Sequence, residues 1–166
     1  MSLHYVDPDR PHSRRYRALM GFGRSRPGQF FARHVSFQAD PWLYRATGGR
    51  YPRVLGGPVT APLTSTGARS GQRRVCQLAY FHDGSDVILL ASNSAKPTNP
   101  GWYYNLRADP ECHLGDEEFR AAEVTNPDDY TRLYALAEQV YAGYRDYRIK
   151  TARAGRRIPV LRLTRR

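Results

Sequence analysis

Three stretches of the 166-residue chain gather side chains that could hold a ligand or move a proton. The first is Thr64-Ser65-Thr66-Gly67-Ala68-Arg69-Ser70-Gly71-Gln72-Arg73-Arg74. Its glycines let the backbone bend and turn N–H groups toward an anion, and its hydroxyls and guanidiniums add donors. The same residues would also make a plain hairpin turn with solvated arginines. No Gly-Lys-Ser/Thr follows, so this is not a nucleotide P-loop. The second stretch runs from Ala91 through Ser92, Asn93, Ser94, Lys96, Asn99, Pro100, Trp102, Tyr103 and Asn105 to Leu106. It leaves an apolar run and enters a helix start, which suits a planar ligand held by backbone amides and a helix dipole. Alternatively, Trp102 and Tyr103 simply pack in the core. The third is Tyr141-Ala142-Gly143-Tyr144-Arg145-Asp146-Tyr147. Tyrosines three apart share a helical face. Such a face could close over a pocket, stack on a ring, donate a proton, or be a half-buried packing stripe.

Other chemistries lack their residues. His4, His12, His34, His82 and His113 stand in unrelated contexts, with neither triad nor metal-ligand spacing. No metal site is expected. Cys76 and Cys112 form no ligand or disulfide pattern and are expected to be buried, reduced thiols. No GxGxxG lies between a strand and a helix, so a dinucleotide-binding Rossmann unit is not expected.

The elements that must position these stretches follow from periodicity. Val59 to Thr66 reads as a strand, Gly67 to Gly71 as a turn, and Arg74 to His82 as a second strand. Asp83-Gly84 signals a hairpin into a buried strand over Val87 to Ala91. Ser92 to Asn99 is a polar loop, and Gly101 to Ala108 a short helix that begins beside Pro100. Strands are expected over Glu111 to Leu114 and Glu118 to Thr125, around a Gly115-Asp116 turn. Thr125 to Asp129 caps a helix running to about Tyr141. A second helix covers about Tyr144 to Ala154, and Ile158 to Leu163 is a last strand. Short antiparallel strands with few helices mean an α+β domain, and a small closed or half-closed barrel pairs the edges economically.

Ahead of this domain, expected at residues 51–166, lies a basic extension at residues 1–50. From Arg10 to His34 it carries seven arginines and no acidic residue. Gly28 to Tyr44 could form an amphipathic helix with Phe30, Phe31 and Val35 on one side, interrupted at Pro41, with Asp40 capping the turn that follows. That helix would either pack on the domain or touch a membrane surface or a cofactor tail. The net charge of +11, almost all of it arginine, makes a polyanion the natural partner: nucleic acid, an acidic membrane or an anionic cofactor. With no nucleic-acid-reading motif, a nucleic-acid partner is not expected. No apolar run is long enough to span a bilayer, and the N-terminus lacks a signal-peptide core, so a cytoplasmic location is expected, including a peripheral one at the inner membrane face.

Taken in order, the blocks from Leu63 to Arg74, Tyr80 to Gly84, Ala91 to Asn93, Asn99 to Pro110 and Ile158 to Leu163 resemble the deazaflavin-dependent nitroreductase and quinone reductase family of actinobacteria. The stretch from Pro41 to Arg50 is also similar to members of that family. The resemblance implies a split β-barrel, of the FMN-binding kind, with an N-terminal helix and C-terminal helices. It implies coenzyme F420, a hydride donor with a phosphate and an oligoglutamate tail, and a quinone-like or nitroaromatic acceptor. By that pattern Thr66, Gly67, Arg69, Ser70 and Arg74 would hold the phosphate and tail. Gln77, Leu78, Tyr80, Ser92, Asn93, Ser94, Asn99, Pro100, Trp102, Tyr103 and Asn105 would hold the ring. Tyr141, Tyr144 and Tyr147 would line the substrate side, with Tyr141, Tyr144 or Ser92 bonding the acceptor oxygen or supplying its proton. Two departures stand out: Ala68-Arg69 fills the middle of a turn that many members write Gly-Arg-Lys-Ser-Gly, and Thr98-Asn99-Pro100 replaces Lys-His-Pro. The alternatives are an FMN- or haem-binding barrel and a non-enzymatic binder of anionic surfaces. A homodimer is compatible with either barrel.

Overall fold

The first strand of the sheet buries every second residue. In β1 (Thr60–Thr66), Ala61, Leu63 and Ser65 are buried while the residues between them are more exposed. The strands that follow are β2 (Arg73–Ala79), β3 (Phe81–Asp83), β4 (Asp86–Leu90), β5 (Glu111–Leu114), β6 (Glu117–Glu123) and β7 (Val160–Arg165). The helices are α1 (Gly101–Ala108), α2 (Pro127–Val140) and α3 (Gly143–Arg153), and a 3-10 turn covers Asn93–Ala95. All come from a computed structural model that describes residues 3–9 and 58–166. The amphipathic helix, its break at Pro41 and the boundary near residue 50 lie outside the described residues.

The seven strands form one sheet in the order β2-β1-β5-β6-β7-β4-β3. Pairs β1–β5, β5–β6, β6–β7, β7–β4 and β4–β3 are antiparallel. The two outermost strands, β2 and β3, are joined through Tyr80 alone. A one-residue link between opposite edges forces the sheet to curl, so it closes on itself as a half-barrel. Strand Arg74 to His82, expected to be continuous, is therefore two strands. Tyr80 is the corner where the chain leaves one edge and joins the other, a long-range demand that strand periodicity does not register.

The register sorts side chains into two layers. Leu63 faces Leu114, Cys112 faces Phe119, Ala121 faces Leu163 and Leu89 faces Leu161, which fills one side. On the other side Phe81, Ile88, Leu90 and Val160 pack with Leu133, Tyr134, Ala137 and Val140 of α2 and Tyr144 of α3. This is why Val87-Ile88-Leu89-Leu90 is buried throughout: β4 has core on both faces. The α2 helix starts where Asn126 Oδ1 accepts the backbone N–H groups of Asp128 and Asp129, each at 3.0 Å, with Pro127 in the first turn.

Residues 3–9 belong with this sheet. The Val6 carbonyl accepts the His82 N–H at 2.9 Å, and the Tyr80 hydroxyl donates to the His4 carbonyl at 2.8 Å. Of the two cysteines, Cys112 is buried and Cys76 only half-buried, against the expectation for Cys76; as an edge strand, β2 is covered on fewer sides. Both are free, and burial raises their thiol pKa values, to about 11 for Cys76 and about 12 for Cys112, so both stay protonated.

Candidate functional site

The turn between β1 and β2 is tight and locally closed. The Gly67 N–H donates to the Gln72 carbonyl at 2.8 Å, and the Gly67 carbonyl accepts the N–H groups of Ser70 and Gly71 at 3.1 and 2.8 Å. A Cβ on Gly67 would lie 2.8 Å from Ser70 Oγ and 3.1 Å from the Gln72 carbonyl, so a larger residue would have to displace the Ser70 hydroxyl and press on the backbone. Arg74 donates to Ser70 Oγ at 3.3 Å. Arg69, Arg73 and Arg74 are all exposed, and among the described residues Arg69 shows no carboxylate partner. Guanidiniums without carboxylates, beside a turn of small hydroxylated residues, fit a phosphate or an acidic tail. A groove of about 720 Å³ is lined by Thr66, Gly71 and Arg73 of this turn, together with Glu111, Asp116, Glu118 and Arg166.

Asn105 of α1 ties the turn to the second stretch. Its Oδ1 accepts the Ala68 N–H at 3.0 Å and its Nδ2 donates to Ser65 Oγ at 3.4 Å. The 91–99 loop precedes α1 and takes an uncommon shape. Asn93, Ser94 and Ala95 all have left-handed backbones, with φ of 50°, 51° and 58°. None is glycine, and each costs about 1–2 kcal/mol relative to a right-handed turn. Asn93 Nδ2 donates to the Thr98 carbonyl at 2.8 Å across the loop. Asn99 Oδ1 accepts from Arg156 Nε at 2.8 Å. The α3 helix packs against the Asn93–Ala95 turn, bringing the third stretch alongside.

In that third stretch the tyrosines cluster but do not share one helix. Tyr141 caps the end of α2, whereas Tyr144 and Tyr147 lie on α3. The chain breaks between the helices, with φ of −145° at Tyr141, so the expected single helical face is two elements meeting. The rings nonetheless touch, with centroids 5.3 Å apart for Tyr141–Tyr144, 6.2 Å for Tyr141–Tyr147 and 6.1 Å for Tyr144–Tyr147. Gly143 makes this possible: a Cβ there would sit 2.3 Å from the Tyr141 ring. Tyr144 is 7% exposed within the core, and burial raises its phenol pKa, so it keeps its proton. Tyr141 and Tyr147 are half-buried and form the accessible part of the cluster.

Several sequence candidates are turned elsewhere. Tyr80 is buried and spends its hydroxyl on the His4 carbonyl. Trp102 and Tyr103 are buried on the inner face of α1, and the Tyr103 hydroxyl donates to Glu123 at 2.8 Å. Burial and that acidic partner raise the Tyr103 pKa. Pro100 caps α1, and its carbonyl accepts the Tyr103 N–H at 3.1 Å. Ser92 sits at the start of the left-handed turn and is half-buried, as are Asn93, Gln77 and Leu78, while Ser94, Thr66 and Ser70 are exposed. Sequence reasoning missed Arg156 and Gly143. Their partners lie far along the chain or depend on a ring position, so no local pattern announces them.

The curled sheet thus carries a basic turn, a left-handed polar loop and a tyrosine cluster, linked through Asn105 and α3. The model of the F420H(2)-dependent quinone reductase family matches residues 36–165, and the chain belongs to that family. A quinone reductase of Mycobacterium tuberculosis, described as F420H(2)-dependent, is 36% identical over 148 residues, covering 83% of this chain and 97% of that protein. Among solved structures, an F420-H2 dependent reductase superposes with a TM-score of 0.54 at 29% identity, over 63% of this chain and 93% of that one. A structure described as a domain-swapped dimer does so with a TM-score of 0.56 at 27% identity, over 75% of this chain and 98% of that one.

Proposed function

We propose that this protein is a reductase that passes a hydride from reduced coenzyme F420 to a quinone-like acceptor. One observation carries the reading beyond family membership: Asn105 bonds the basic turn to the helix that follows the left-handed loop, so the two expected cofactor segments form one connected cradle. The donor set fits the group, with a guanidinium at Arg69 that meets no carboxylate among the described residues for the anionic tail, and amide and hydroxyl groups for the ring edge. Reduced F420, when bound, supplies the hydride; the protein supplies position and a low-dielectric wall.

In this reading Thr66, Gly67, Arg69, Ser70 and Arg74 bind the phosphate and tail. Ser92, Asn93, Ser94, Asn99 and Asn105 hold the ring edge, and Gln77 and Leu78 of β2 close the cradle. Tyr80, Pro100, Trp102 and Tyr103 support it from behind. Tyr141 and Tyr147 present hydroxyls to the acceptor, and Tyr144 backs them. The proton for the acceptor oxygen is held at Tyr141 or Ser92, because Tyr144 is walled off by packing. Nitroaromatic acceptors use the same geometry. The domain-swapped relative supports a homodimer, and the arginine-rich stretch from Arg10 to His34 supports peripheral contact with an anionic membrane on the cytoplasmic side, where a lipid quinone is reached.

Mixing protein, reduced F420 and menadione should produce the visible band of the oxidised deazaflavin, with little change when protein is omitted. If the protein neither binds F420 nor speeds its oxidation, the reading fails. A yellow preparation carrying tightly bound FMN would replace it with the flavin alternative.

A further inference from the structure

Arg156 lies three residues beyond the end of α3 and turns back onto the 91–99 loop. Its Nε donates to Asn99 Oδ1 at 2.8 Å, and its Nη1 donates to the carbonyls of Ser92 at 3.2 Å and Lys96 at 2.8 Å. Its Nη2 donates to the Ala91 carbonyl. One guanidinium thus spends four of its five N–H groups on a single loop, gripping both ends and the middle. That loop contains the three consecutive left-handed residues, whose backbones are disfavoured unless something over-determines them. Among the described residues no carboxylate pairs with Arg156, and partial burial lowers its pKa. A cation placed there without an anion is held by the loop carbonyls.

We infer that Arg156 is the positioning residue that locks the 91–99 loop in its left-handed bend and so presets the ring side of the cofactor cradle. The inference rests on the proposed cofactor reading. It assigns Arg156 no contact with the reacting atoms. The fork geometry is needed: a lysine supplies three donors from one point and cannot reach Asn99, Ser92, Lys96 and Ala91 together.

The test uses the full chain as wild type, Arg156→Met and Arg156→Lys. In cofactor-free protein, amide hydrogen exchange over the 91–99 loop should speed at least tenfold in Arg156→Met and at least threefold in Arg156→Lys, with α2 unchanged in the lysine variant. The dissociation constant for F420 should rise at least tenfold and threefold in the same order, while the thermal midpoint of Arg156→Lys stays near wild type. Wild-type loop exchange in both variants overturns the inference. So does weakened F420 binding with an unchanged loop, since Arg156 would then act on the cofactor itself. If Arg156→Met fails to fold, the lysine variant decides. If wild type does not bind F420, the cofactor reading falls, and the exchange measurement alone decides whether Arg156 locks the loop.

Discussion

Two groups of arginines on this sheet look alike in sequence and do opposite things. Around Arg162 of β7 every guanidinium is matched. Arg162 reaches Asp83 at 3.1 Å, Asp86 at 2.8 Å and Asp129 at 2.9 Å, while Arg132 holds Asp83 at 2.7 Å and Asp129 at 2.8 Å. This network staples the β3–β4 hairpin and the first turn of α2 to the last strand. Hydrogen bonds from Arg132, then from Arg162, hold the carboxyls of Asp83 and Asp129 below the ordinary range. In the β1–β2 turn, by contrast, Arg69 and Arg73 meet no carboxylate among the described residues, and Arg74 meets a hydroxyl. Arginine that has found its carboxylates is scaffold. In the turn, arginine that meets no carboxylate among the described residues fits the anion-binding role proposed above.

The contrast breaks most visibly at Arg162. Arg162→Met leaves three partly buried carboxylates short of a cation. A fully buried pair broken this way costs more, but a quarter of the Arg162 side chain is exposed, so the loss is discounted to about 2–3 kcal/mol of unfolding free energy. Urea melts would show it, and a loss below about 0.5 kcal/mol would reduce the network to surface decoration. F420 affinity of the folded variant should stay within about twofold. The double variant Arg69→Ala/Arg74→Ala should do the reverse. Losing two exposed charge-assisted contacts predicts about tenfold weaker F420 binding at low salt and less at high salt, because screening already weakens them. Its unfolding free energy should not move by more than about 0.5 kcal/mol. Salt-independent or unchanged affinity would refute the assignment of the turn to the phosphate and tail.

How much of this the sequence disclosed depends on the range of each interaction. Elements written by local rules were legible: the strand ending at Thr66, the helix from Gly101 to Ala108, and the capping stretch from Thr125 to Asp129, in which Asn126 is the cap. The strand break at Tyr80 was not, because it answers to a sheet closing on itself. The three site stretches were legible as candidates, and the family resemblance joined them, but Asn105 and Arg156 do the joining physically. Their partners lie 37 to 65 residues away. Nothing near Arg156 or Arg162 distinguishes them from Arg153 or Arg165. Burial and partner, which periodicity does not reveal, separate these roles.

The smallest expected effect lies at His82, a buried titratable group outside both arginine sets. Its Nδ1 accepts the Val6 N–H at 3.1 Å, and the ring lies 4.5 Å from that of Tyr5 and 5.7 Å from that of Tyr80. The charged neighbours are Arg165 and Glu117 of the sheet and His4 of the N-terminal segment. Burial lowers the His82 pKa; Arg165 and His4 lower it further, against Glu117. The folded protein thus resists protonation at a pH where the unfolded chain, near 6.5, accepts it. This contribution to stability is complete above about pH 6.5 and is lost as pH falls through the lowered folded value, whereas the Arg162 network persists until its carboxylates protonate. A protonated Nδ1 would face the Val6 N–H donor to donor, so residues 3–9 should loosen before the sheet does. Stability should fall by under about 1 kcal/mol between pH 7 and pH 5, and protection of the Val6 amide, corrected for intrinsic exchange, should fall with it. Both slopes should flatten in His82→Gln. Equal slopes in that variant would mean that the acid sensitivity belongs to other histidines.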